Sequence, residues 1–253
     1  MIGFFRKLRK KLLQEGELRK YLVYAFGEII LVVLGILIAL QVNNWNIERQ
    51  TQQEAADILV TVLDEMTANA QIVSGCQAEL GNLVRAADSL RTLTGADYSN
   101  LAIESATWLL GSVGAVVRCP VQTDVIDELR SSGNLRLISD ADLRRAIGRW
   151  TTALKELGRE EDEWSREFST QYYPYTAKWM SWEEFEYYLN PDNPQYYKAR
   201  KAVDPRPVLH ELEFANLLAL HYWRMGRIED RQAPLMQRTT EISVLIQKIQ
   251  DAS

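Results

Sequence analysis

Few residues in this chain have the type and spacing to do chemistry. Glu28 is the one ionisable side chain within YLVYAFGEIILVVLGILIALQVNNWN, residues 21–46, where a carboxylate is costly to desolvate and is by default a functional candidate. His210 and His221 are the only histidines. On a helix they lie about 16 Å apart along the axis, too far to share one metal ion by themselves. HExxH and CxxC spacings, a glycine-rich phosphate loop and a nucleophile elbow are all missing from the sequence. The acidic pairs Glu160-Glu161 and Glu183-Glu184 read as solvated helix faces. Cys76 and Cys119 are the only cysteines. One disulfide is open to them in an oxidising compartment, but Cys76 falls on an apolar stripe where a buried free thiol serves as a small hydrophobe, and that reading is favoured. The expectation is therefore no catalytic residue, no metal and no cofactor.

Glu28 must be positioned by a helix that crosses a membrane. The run after it, Ile29 to Val42, has only Gln41 as a polar residue and reaches about 21 Å as a helix, short of a hydrocarbon core of about 30 Å. The helix must therefore extend back through Glu28. From Tyr24 to Trp45 it covers about 31 Å and sets an aromatic at each interface. A cleaved signal peptide would want a shorter apolar region and a better small-x-small site than Ala39-Leu40-Gln41, so a retained anchor is expected. Glu28, Gly35, Ala39 and Asn43 fall on one stripe of this helix. Gly35-x-x-x-Ala39 is a small-xxx-small pair that lets a second helix approach, and the stripe would then be a self-association face. The simpler reading leaves Glu28 near the inner interface, pointing toward water or lipid amines.

Charge divides the chain around that span. Residues 1–20 hold seven Lys or Arg against Glu15 and Glu17, whereas the rest of the chain beyond Glu28 has 22 basic and 31 acidic residues. The basic flank predicts a cytoplasmic amino end and an acidic body on the other side. An acidic body also argues against nucleic-acid binding. Within MIGFFRKLRKKLLQEGELRK, Arg6, Lys7, Lys10 and Lys11 surround an apolar side of Phe5, Leu8 and Leu12, the pattern of a short helix lying on anionic lipid. The plainer alternative is a basic flank that only sets topology. The segments are thus 1–20 cytoplasmic, 21–45 transmembrane and 46–253 periplasmic.

The body reads as all-α. From Ala55 a heptad runs through Leu59, Val62, Met66, Asn69, Val73, Cys76, Leu80, Leu83, Ala87 and Leu90, predicting a long coiled-coil-like helix over 47–93 that Ser74-Gly75 or Gly81 would kink. So long a seam needs a partner helix, from this chain or a second copy. Shorter helices are predicted over 101–110 and 124–131, the second opened by Thr123 and ended by Gly133. Ser139-Asp140-Ala141-Asp142 reads as a capping box for a helix with Leu143, Ile147, Trp150, Leu154, Leu157, Trp164 and Phe168 on one stripe. Residues 164–197 hold half of the chain's aromatics, which either line a ligand site or cap the bundle. A last helical region over 207–250, bent or split by Pro234, is expected to pack along the first.

The segment KYLVYAFGEIILVVLGILIALQVNNWN after a basic, Phe-rich start, together with DELRSSGNLRLISDADLRRAIGRW at residues 127–150, resembles an uncharacterised family of bacterial single-pass membrane proteins known only as a domain of unknown function. The likeness covers residues 1–50 and 120–155. It implies an inner-membrane location and a helical extracytoplasmic portion, and it implies no activity, ligand or catalytic residue.

These readings predict a membrane-anchored interaction or scaffold protein whose partners are the lipid bilayer and a second copy or another membrane protein. Two other classes stay open. One is a single-span subunit of an ion-coupled complex using Glu28, and the other a periplasmic sensory or ligand-binding module acting through a partner.

Overall fold

The computed structural model describes residues 18–190, 192–193, 195 and 203–252, with side chains from Leu22 onward. The regular elements among the described residues are all helices, with no strand. They fall into two compact units that meet between Asp57 and Ile58. The first long helix, α1 (Leu18–Leu93), contributes to both.

In the first unit, every side chain from Phe26 to Glu54 is exposed. The most apolar 18-residue window has a mean hydropathy of 2.6, and none of it is buried. A helix apolar on all sides with nothing packed on it has the length and composition of a membrane span. Arg6, Lys7, Lys10 and Lys11 lie outside the described residues, as do Tyr196, Tyr197, Pro191 and Pro194.

In the second unit the same helix becomes one-sided. Val62, Met66, Asn69, Val73, Cys76, Leu80, Leu83, Ala87 and Leu90 are all buried, while Ala55 and Leu59 are half-buried. This stripe belongs to one buried core together with residues of α4 (Ala141–Glu167) and α7 (Leu212–Asp251) of the same chain. Helix α7 runs antiparallel to α4, since Trp150 Nε1 donates to Thr239 Oγ1 at 3.0 Å and Trp164 Nε1 to His221 Nδ1 at 2.9 Å. It also runs antiparallel to α1, with the Arg91 guanidinium 4.3 Å from the Tyr222 ring centre and Leu80 and Val84 bordering one hollow with Glu229 and Gln232. The expected packing of the first and last long helices is therefore observed.

Neither long helix is interrupted at the positions where the sequence predicts a kink, bend or split. Helix α1 runs unbroken through Gly75 and Gly81. A glycine in a helix interior costs about 1 kcal/mol, and the buried side chains on either side hold the backbone in register. Helix α7 likewise continues through Pro234. The ring removes one backbone bond to the carbonyl of Asp230, but Asp230 and Pro234 are both exposed, so water can take the freed acceptor.

Shorter elements close the bundle. Helix α2 (Ile103–Ser112) and helix α3 (Asp124–Ser132) sit within two residues of their predicted bounds, and Gly133 ends α3 with φ 77°, as expected. The cap of α4 differs from the expected box: Asp140, not Ser139, is the N-cap, its carboxylate accepting from Leu143 N at 2.7 Å. After α4 come a π-helical turn (Phe168–Tyr172), α5 (Tyr173–Thr176) and α6 (Trp182–Leu189). Ser181 caps α6 by accepting from Glu184 N at 3.2 Å. This aromatic lobe packs onto α2 and the turn after it, where two glycines let rings approach the backbone. A Cβ on Gly111 would lie 2.0 Å from the Phe185 ring, and one on Gly114 would lie 2.1 Å from Trp182.

The glycines supply a stability test. Gly111→Ala forces Phe185 from its seat and is expected to lower unfolding stability by about 1–3 kcal/mol. Gly158→Ala, in α4 with nothing within 4 Å of the new Cβ, is expected to raise it by up to about 1 kcal/mol. Denaturant unfolding of the two variants checks this, and equal effects would contradict the packing described.

Candidate functional site

The predicted intramembrane residues Glu28, Gly35, Ala39 and Asn43 all lie on the exposed stretch of α1. A Cβ added at Gly35 meets nothing within 4 Å, so backbone approach there is unobstructed. Trp45 is exposed and Tyr24 half-buried.

The second unit holds buried polar groups of a kind the sequence reading placed on its surface. The segment from Cys119 to Ile126, at the start of α3, is tied down by three side chains. Glu161 of α4 accepts from Cys119 N at 3.0 Å. Asn69 of α1 bonds both backbone groups of Gln122, each at 2.8 Å. Glu65 of α1 accepts from Val125 N at 2.8 Å. Thr123 makes no side-chain cap, so Glu65, from another helix, satisfies the open amide at the start of α3. Cys76 and Cys119 form a disulfide with Cα atoms 5.8 Å apart. The expectation of a free Cys76 thiol is corrected: the heptad stripe does bury it, but the anchored segment brings Cys119 alongside. Burial pushes the Glu65 and Glu161 carboxyls above their ordinary values, against the pull of the amides they accept from.

A second correction concerns the acidic pairs. Glu160, Glu161 and Glu184 are buried, and only Glu183 faces solvent. Glu160 is held by Arg224, Arg227 and Arg231 of α7, while Glu156, Glu163 and Glu167 pair with the same arginines. Arg227, its closest partner, holds the Glu160 carboxyl below the usual range. Arg224, Arg227 and Arg231 repeat at helical spacing, and so do the four glutamates. Those matching stripes are the signal that could have revealed the ladder from sequence.

The histidines separate. His210 Nε2 lies 3.0 Å from Ala96 O, with its ring edge-on to Tyr98. His221 is buried, accepts from Trp164 at Nδ1 and donates from Nε2 to Val113 O at 3.0 Å. Burial pushes it down to about 4, so it is neutral near pH 7. It stacks on Tyr172 at 4.9 Å. The hollow among Trp164, Phe168, Tyr172 and His221 is only about 10 Å³, too small for a ligand. Around His221 the aromatic cluster is therefore packed core, whereas Tyr188, another of its members, borders a larger hollow. Among the described residues no three His, Cys, Asp or Glu side chains gather as a metal site.

No family model, curated protein or solved structure matches the chain. The resemblance to a family of membrane proteins therefore rests on the two quoted stretches. The structure supports its coarse architecture, a long apolar helix near the amino end followed by a compact all-helical domain.

Two measurements follow from the buried polar groups. Glu160 has a depressed folded-state pKa, so its contribution is present above about pH 4.5 and is lost as pH falls through the folded value. Glu160→Gln is expected to lower stability at pH 7 by about 2–3 kcal/mol, with the deficit shrinking in acid. Glu65 has a raised value, so ionisation of the unfolded chain above pH 4.5 works against the fold. Glu65→Gln keeps an acceptor for Val125 N, and stability at pH 7 should hold or rise. Denaturant titrations across pH test the opposite signs. Replacing both cysteines by alanine, which opens a loop with a sequence separation of 43 residues, should reduce stability by about 2–4 kcal/mol, and an unchanged midpoint would contradict the bond.

Proposed function

We propose that this protein is a single-pass, membrane-anchored interaction module. Its basic amino end lies in the cytoplasm of a bacterial cell, α1 crosses the inner membrane, and the helical bundle stands in the periplasm. Its partners are the bilayer and a second copy of the chain, met through the span.

The observation that carries this reading is the change of character along α1. The apolar residues of its first part are exposed on all sides, whereas the apolar stripe of its second part is covered within the chain. The seam that seemed to call for another copy is thus already occupied. Uncovered apolar surface is concentrated on the span, where Gly35 and Ala39 leave room for close helix packing. The Cys76–Cys119 disulfide supports the placement of the bundle, because such bonds persist in oxidising compartments. The acidic balance beyond the span supports the same orientation.

Cysteine crosslinking of the full chain in its native membrane tests the association. G35C and A39C chains are expected to form dimers on oxidation, while L37C, half a turn round the helix, is not. Equal crosslinking at the three positions, or none at any, would overturn the proposed face.

A further inference from the structure

The hollow around His221 is too small for a ligand, and larger open spaces lie beside α2. A groove of about 540 Å³ runs between α1 and α2, within the range of small-molecule sites. Leu83, Ala86 and Val117 contribute apolar surface to it, and Glu79, Asn82 and Arg85 bring polar groups. A second hollow, of about 310 Å³ and with Glu104 and Tyr188 in its lining, adjoins the same tryptophan. Trp108 and Leu109 line both. Trp108 is 48% exposed, although the chain buries Trp150 and Trp164 almost completely.

This lining selects for a chemical class. A half-exposed indole offers a flat apolar face. Around it stand a carboxylate, an amide and a guanidinium, which together both donate and accept. Asn82 and Arg85 already bond to each other, which orients the amide and leaves other guanidinium N–H groups to donate. Against the single cation of the first hollow stand Glu79 and Glu104, so the pair of hollows carries no positive excess to attract a phosphate or a polyanion. The ligand that fits has an apolar flat face, many hydroxyl donors and acceptors, little or no charge, and enough length to pass Trp108 into both hollows.

We propose that the Trp108 groove binds successive sugar rings of an uncharged glycan chain, one ring stacked on the indole. The inference is independent of self-association through the span. Full-length protein in detergent should be titrated with trimers of N-acetylglucosamine and of glucose, following intrinsic tryptophan fluorescence and checking by calorimetry.

At least one trimer is expected to bind saturably and more tightly than its monomer. Trp108→Ala should weaken it by about tenfold or more, Trp108→Phe less, and Trp223→Ala, at an exposed tryptophan outside the groove, not at all. Circular dichroism and the unfolding midpoint of each variant separate lost binding from lost folding. The proposal is overturned if neither trimer binds up to millimolar concentration, or if Trp108→Ala folds and binds as well as the parent. Tighter binding of an anionic oligosaccharide, or saturation by free indole without saccharide binding, would also overturn it.

Discussion

The architecture depends on a change of pattern along one helix, from apolar on every side to apolar on one stripe. In lipid every face of a helix must be apolar, whereas in a water-borne bundle one stripe suffices. Helix α1 carries both patterns in turn. Its residues from Ile29 to Val42 are apolar apart from Gln41, with none buried, and from Val62 onward the apolar positions withdraw to a single stripe within the core shared with α4 and α7. Each fully buried aliphatic side chain on that stripe contributes about 1.5–3 kcal/mol relative to exposure. Among the described residues the stripe is thus buried within the chain.

Burying the stripe creates a polar problem that the structure answers with its carboxylates. The stretch from Cys119 to Ile126 is not continuous helix, so its amides need partners. Glu161, Asn69 and Glu65 provide them, and the disulfide fixes the start of the same stretch to α1. On the other side of α4, Glu160 faces three arginines of α7. These two sets of glutamates, adjacent in sequence, have opposite electrostatic character. Glu160 is held ionised by cations, whereas Glu161 is driven toward its neutral form by burial. The alternation at neighbouring positions directs one face of α4 to α7 and the next to the anchored segment.

The elements that were legible in the sequence were those set by periodicity. The heptad from Leu59 to Leu90, the stripe of α4, the left-handed cap at Gly133 and the all-helical class each follow from spacing and residue type alone. What escaped is what depends on contacts between distant positions. The Glu160-Glu161 pair looks like a solvated face until α7 is laid beside it, and Thr123 looks like a cap until Glu65 takes that role from 60 residues away. The glycines at 111 and 114 fall just beyond the helix predicted over 101–110, and nothing local announces that Phe185 and Trp182 will press on them. The groove at Trp108 was likewise invisible, being a space between helices rather than a motif.

The central claim is that α1 crosses the membrane once and delivers the bundle to the oxidising side. Labelling of a D230C chain in intact cells with a membrane-impermeant maleimide tests this most directly, since Asp230 is exposed on α7 and the native cysteines are joined to each other. The account predicts labelling of D230C without permeabilisation and none of the parent chain. Labelling of D230C only after the membrane is opened would contradict it.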